Sequence, residues 1–316
     1  MSRLFTSRLS RRTALAGGIA VVALALSACG GSSDPLASSS SPTTSGASST
    51  LVMGSQQYYS SDIIAELYAE SLEHAGFTVT RQFQIGQREV YMKQVESGAI
   101  DVFPEYTGNL LQFLDAKATA SNPAEVLTAL RAALPTGLSA LEPAAATDQD
   151  SFNVTSATAE QYGLKTIADL SKLPQPVKIA GNSELAKRPY GPEGLKSVYG
   201  VSAEISPVED GGGPLTVKAL KDGTVPVADL YSASPAIAAE GFVTLEDPKN
   251  LVLPQNVVPI VSAKVDEKAK AAIDAVNAKL STEQLIALNA KSVNDKASAA
   301  TIAKAWLAEQ GIVPAS

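Results

Sequence analysis

Tyrosines are the residues whose type and placement point to chemistry in this sequence. Tyr58 and Tyr59 follow the first apolar run, Tyr106 stands with Thr107 at the end of AIDVFPEY, and Tyr231 stands with Ser232 at the end of VPVADLY. All three places are expected strand ends, where open α/β sheets hold their ligands. Each tyrosine face attracts a cation by about 0.5 to 2 kcal/mol, and a group of them suits a quaternary ammonium, which has no N–H to donate. Half-buried packing is the alternative for any single one; their recurrence at strand ends favours a binding site.

Other chemistries are poorly supplied. One histidine and one cysteine cannot build a Cys/His zinc site of four side chains or an intrachain disulfide. Nucleophilic catalysis most often needs a histidine base, and His74 stands in the last turn before Gly76, where an imidazole complements the helix dipole. Gly211-Gly212-Gly213-Pro214 lacks the Lys-Ser/Thr that closes a phosphate loop and reads as a turn before a helix. Asp148 and Asp150 lack the glycine and closing glutamate of a calcium loop and read as a solvated acidic loop. No carboxylate pair stands out for glycosidase work. The expectation is a protein that is not an enzyme and has no cofactor or metal. The formal charge of −7 repels phosphates, so no nucleic-acid partner is expected.

The elements that must position the tyrosines alternate. LVMGSQQYY reads as a strand, Ser61-Asp62 as a cap, IIAELYAESLEHAGF as an amphipathic helix, FTVTRQFQI as a strand, REVYMKQVESG as a helix opened by Gly86-Gln87, and AIDVFPEY as a strand. That order indicates an α/β sheet. After residue 150 it resumes with VKIAG, the loop SELAKRPYG, the helix EGLKSVYG, the strand EISPVE, the helix PLTVKALKDG and the strand VPVADLY, implying a second α/β lobe. The segment from Gly241 to Val261 reads as a return crossing. The tail is helical, with a start at Ser281-Thr282-Glu283-Gln284 and a final helix in which Ile302, Trp306 and Leu307 share a face.

The amino terminus reads as a processed leader. Arg3, Arg8, Arg11 and Arg12 precede the apolar run of residues 14–26, which is too short for a span of about 20 residues. Leu26-Ser27-Ala28-Cys29 resembles a bacterial lipobox, which assigns residues 1–28 to a lipoprotein signal peptide and Cys29 to lipidation, outside the membrane and tethered to it. Ser10-Arg11-Arg12 is a partial twin-arginine pattern, and both Sec and twin-arginine export stay open. Losing four arginines and no acid takes the charge from −7 to −11. Residues 29–50 carry the anchor and a Ser/Thr/Gly-rich linker, whose roughly 20 residues reach about 25 Å as a flexible chain.

IGQREVY, GAIDVFPEYTGNLL, YGLKTIADL, RPYGPEGLKSVYG, GGGPLTVKALKDG, VADLYSASPAI and LEDPKN with LPQNVVPIV together resemble the solute-binding lipoproteins of osmoprotectant ABC importers, which carry glycine betaine, choline and related compounds. The resemblance spans roughly residues 51 to 313. It implies an α/β, two-lobed type II periplasmic-binding-protein fold with the ligand in the interlobe cleft, lobe 1 taking residues 51–147 plus 252–316 and lobe 2 residues 148–251. It also implies a monomer that hands a small-molecule solute to ABC permease subunits. Tyr106 and Thr107 match the family's PEYTG motif, Tyr231 matches a cage aromatic, and Arg188 matches an arginine before proline suited to a ligand carboxylate. Gln57 with Tyr58 and Tyr59, and Gln87, match cleft-lining positions. The sequence departs from the family at Gln149-Asp150, where Thr-Tyr is common, at Pro192, where many relatives have a tyrosine, and at Ser232-Ala233-Ser234, which replaces Ser-Thr-Asp. Asp150 then offers a charge where an aromatic face is usual, a counter-ion for choline. A same-fold protein for a different polar or cationic solute is the alternative.

Overall fold

The computed structural model describes residues 50–314. The expected export segment, Cys29 and most of the linker lie outside the described residues. The described chain opens with β1 (Thr50–Gly54), α1 (Tyr59–His74), β2 (Thr78–Gln82), α2 (Arg88–Glu96), β3 (Val102–Tyr106), α3 (Thr107–Leu114), α4 (Pro123–Ala133) and β4 (Leu138–Ala140). It then crosses into β5 (Asp150–Thr155), α5 (Ser156–Tyr162), β6 (Val177–Gly181), α6 (Pro192–Tyr199), β7 (Ala203–Pro207), α7 (Pro214–Lys221), β8 (Val227–Tyr231), α8 (Pro235–Ala239) and β9 (Phe242–Thr244). It returns through β10 (Val257–Ser262) and ends in α9 (Glu267–Asn277), α10 (Thr282–Val293) and α11 (Ala299–Glu309).

Two five-stranded sheets result, in the orders β2-β1-β3-β10-β4 and β7-β6-β8-β5-β9. Within each sheet the βαβ strands pair in parallel, as β1 does with β2 and β6 with β7. The strands that follow a crossing run antiparallel: β10 against β3 and β4, and β5 against β8 and β9. This is the α/β architecture of a type II periplasmic binding protein. The central strands β3 and β10 are buried along their whole length; both are mostly apolar, and the charged Glu105 in β3 is paired with Arg88.

Two segments join the sheets, and they are bonded to each other. Ala144 N donates to Val257 O at 2.9 Å, Val257 N to Ala146 O at 3.0 Å, and Asp148 N to Gln255 O at 3.3 Å. Such a paired crossing leaves the sheets a hinge rather than a fused core. On the first lobe, α1 packs beside α9 and α11 over a core that includes Leu67, Tyr68, Ile302, Trp306 and Leu307, the helical face expected from the sequence.

Three expectations are corrected. The first strand ends at Gly54, so Tyr58 and Tyr59 open α1 instead of closing a strand. Ser61-Asp62 lies inside the first turn of that helix and does not cap it. Both side chains fold back on the approaching loop, Ser61 Oγ accepting from Gln56 N at 3.0 Å and Asp62 Oδ1 from Ser55 Oγ at 2.6 Å. The loop's polar groups capture the residues that would otherwise cap the helix. Asp148 and Asp150 are buried, not solvated, because the crossing carries them between the sheets and neighbouring donors hold their carboxylates. The helices α3 and α4 and the short β4 fall in a stretch for which no elements were expected.

Candidate functional site

Parallel strands β1 and β3 of the first sheet and β6 and β8 of the second end on the same interlobe space, so the loops after them carry the candidate residues. Tyr58 comes from the first lobe and Tyr231 from the second, and their ring centroids lie 5.2 Å apart at an interplanar angle of 50°. Tyr106 is 3% exposed and its hydroxyl is buried without a hydrogen-bond partner. Tyr106 and Tyr231 both act on the ionisation of Tyr58, and Tyr190 acts on that of Tyr231. The phenols of all four are pushed up, first by burial and then by neighbouring carboxylates or phenols, so they are neutral at physiological pH.

Glycines make the close approach possible. Gly211 has φ +63°, and a Cβ there would stand 2.4 Å from the Tyr58 Cβ, so the GGG turn presses against the ring that faces Tyr231. Gly108 of the PEYTG run has no positive φ, but a Cβ there would meet Pro254 O at 2.6 Å, which lets α3 lie against the return crossing.

Under Tyr106 lies a fully engaged ionic floor. Arg88 donates from Nε to Glu105 Oε1 at 2.8 Å and from Nη2 to Oε2 at 3.0 Å, while Tyr106 N donates to Glu105 Oε2 at 2.9 Å. Tyr91 also donates to Glu105, and its ring stacks on Phe103 at 4.2 Å. Buried charge is tolerated here because each partner is matched, and the same pair fixes the backbone of Tyr106.

Acids line the other side. Asp150 lies opposite Tyr231 in the β5–β8 register, and Asp229, two residues before Tyr231, shares its face. Asn109 Nδ2 donates to Asp150 Oδ2 at 2.8 Å and is itself held by Gln255 Nε2 at 2.7 Å. Asp229 is 5% exposed, and its Oδ1 has no hydrogen-bond donor. Burial, and then the adjacent Asp150 carboxylate, push the Asp229 carboxyl well above the usual range. Asp148 accepts from Ser60 Oγ at 2.8 Å and from Ala233 N at 2.9 Å, yet burial still raises it to about 6.

The remaining expected residues occupy several settings. Arg188 is 7% exposed, donates to Glu89 Oε1 at 3.1 Å across the lobes, pairs with Glu184 and lies 5.8 Å from the Phe113 ring centroid. Its Nε is buried without a partner. Gln87 also bridges the lobes, donating to Ser183 Oγ at 3.1 Å and Glu209 Oε2 at 3.2 Å. Thr107 is used locally: Oγ1 donates to Pro254 O at 3.0 Å and accepts from Asn256 N at 3.1 Å. Tyr59 turns away from the ring pair to line a lateral groove of about 470 Å³ with Gly212, Pro214 and Ser234. Gln57 is half-buried.

Tyr190, Asp229, Asn109, Gln255 and Glu89 were not anticipated. Tyr190 stands two residues after Arg188, and the period of two along VADLY already put Asp229 on the face of Tyr231. Nothing local marks Asn109 or Gln255, which lie 146 residues apart in sequence.

Comparison with known proteins agrees with the two-sheet fold. Residues 49–309 match the family described as the substrate binding domain of ABC-type glycine betaine transport system. The glycine betaine-binding protein YehZ of Escherichia coli (strain K12) is 27% identical over 265 residues, 79% of this chain and 87% of that protein. A crystal structure of a glycine betaine/carnitine/choline ABC transporter protein has a TM-score of 0.67 at 22% identity, covering 83% of this chain and 99% of the other. The lactococcal OpuAC structure, closed on glycine betaine, has a TM-score of 0.61 at 14% identity, covering 83% of this chain and 96% of the other. With that match running from the first described strand into the last helix, the chain belongs to the family of substrate-binding domains of ABC-type glycine betaine transport systems.

Proposed function

We propose that this protein is the extracytoplasmic solute receptor of an ABC importer and that it holds a small quaternary amine, glycine betaine, choline or a relative, between its lobes for delivery to the permease. The carrying observation is the Tyr58–Tyr231 ring pair, one ring from each lobe at 5.2 Å, with Tyr106 and Tyr190 beside it. Aromatic faces contributed by both lobes tie ligand affinity to lobe closure, because a cation gains the full set of rings only when the lobes meet. Binding here consists of desolvation and cation–π attraction.

A lipid on Cys29 and the linker of residues 29–50 would hold the receptor beside its permease, a reading supported by the lipobox-like run and the basic and apolar leader. The alternative of a different small cationic solute draws on Asp148, Asp150 and Asp229 near the rings, together with an Arg188 already engaged by two glutamates.

A thermal-shift panel tests the assignment. A solute present at 100 times its dissociation constant stabilises by about 2.7 kcal/mol. A shift with glycine betaine, choline, carnitine or proline betaine is expected; none with any of them would defeat the assignment.

A further inference from the structure

Asp150 and Asp229 lie on neighbouring antiparallel strands, two residues apart in register and on the tyrosine side of the second sheet, near enough for the Asp150 carboxylate to act on Asp229. Each is at least nine-tenths buried. Two carboxylates at that distance in a dry site cannot both carry charge unless a cation joins them. Asp150 accepts a side-chain hydrogen bond from Asn109, whereas Asp229 has the Ser151 backbone amide beside it and keeps Oδ1 without a donor. The proton of the empty site therefore belongs on Asp229, facing Asp150.

Among the described residues, the arginines near the acid pair are already matched by carboxylates. Asp148 and Asp150 come from the crossing and β5, Asp229 and the Tyr231 phenol from β8, and Glu184 and Tyr190 from the segment between β6 and α6. Two arginines act on this region. Arg88 is bound by Glu105, and Arg188 by Glu89 and Glu184. Each guanidinium is already matched, so the acid pair is left to be balanced by a proton or by the ligand.

We propose that a cationic solute entering the tyrosine cleft displaces the proton held between Asp150 and Asp229, so that loading exchanges one proton for one positive charge. This rests on the assignment of the cleft to a quaternary amine. The proton passes to solvent, both carboxylates ionise, and the ammonium takes over as their counter-charge. The sign follows from linkage: the loaded protein binds fewer protons than the empty one, so affinity for the cation rises with pH, by up to about tenfold per pH unit. A zwitterion brings its own carboxylate and gains less from the pair. Acidification of the extracytoplasmic space would then favour release of a cationic solute.

Calorimetric titration of choline into the purified protein at pH about 7.5, in two buffers of different ionisation enthalpy, reads the exchange directly. At that pH Asp148, raised only to about 6, is already ionised and does not contribute. The expected result is net proton release, of up to one per choline bound, and weaker binding with release near zero in Asp229→Asn. Should that variant fail to fold, the unmodified protein still decides, since its choline affinity must rise between pH about 6.5 and about 8. Choline binding with no proton released, a flat pH profile, or undiminished release from a folded Asp229→Asn would overturn the proposal. Binding of glycine betaine but not choline would overturn it and leave the quaternary-amine assignment standing; silence with both would overturn the two together.

Discussion

Arg188 of the second lobe donates to Glu89 of the first at 3.1 Å, so the guanidinium aligned by family resemblance with a carboxylate clamp is a strap across the cleft. Glu89 is half-exposed, and an ion pair of that kind contributes about 0.2 to 1 kcal/mol. Glu89→Gln should speed ligand dissociation by up to about fivefold and leave the association rate nearly unchanged, as read by stopped-flow chase. An unchanged dissociation rate would remove the strap from the account.

Tyr231→Leu tests the aromatic contribution. The ring meets Tyr58, while its hydroxyl is only loosely held by Asn182 at 3.4 Å. Loss of the ring should weaken binding of a quaternary amine by about 1 to 2 kcal/mol, roughly 5- to 30-fold, while Tyr231→Phe stays close to the parent. Equal losses in the two variants would assign the affinity to the hydroxyl instead.

Gly211→Ala should harm both stability and binding. The positive φ costs an alanine about 1 kcal/mol, and the added Cβ stands 2.4 Å from Tyr58. Gly200→Ala is the control, with φ +73° and no atom within 4 Å of the added carbon. Both variants should melt earlier, but only Gly211→Ala should also lose ligand affinity.

Asp148 makes stability depend on pH with a definite sign. Burial raises its folded-state pKa to about 6 from 3.8, so the unfolded chain gives up this proton first as pH rises. Its contribution to stability is therefore greatest below pH about 4 and declines until pH about 6. Asp148→Asn removes the decline: relative to the parent, the variant should gain about 2 to 3 kcal/mol in denaturant unfolding between pH about 4 and about 8. Ser60 can turn its hydroxyl from donor to acceptor to meet the new amide.

Fold and site were legible to different depths, for physical reasons. Periodicity and capping residues revealed the alternation of strands and helices, because βαβ units are local and Gly76, Gln87 and Ser281 mark their ends. The start of α1 was misplaced because Ser61 and Asp62 bond backwards to a loop, which composition alone does not reveal. Strand ends pointed to Tyr106 and Tyr231, whose partners follow from backbone register. Burial of Asp148 and Asp150 was hidden, since an acidic pair between two segments reads as surface until the crossing is seen to pass between the sheets. The use of Arg188 depends on Glu89, 99 residues away, and no local pattern encodes that pairing.

Calorimetric titration of glycine betaine and choline into the parent protein and Tyr231→Leu is the most direct test of the central claim, that a quaternary ammonium is held by the interlobe tyrosines. The account predicts saturable one-to-one binding of at least one of them to the parent, weakened roughly 5- to 30-fold in the variant. No binding of either, or equal affinity in parent and variant, would contradict it.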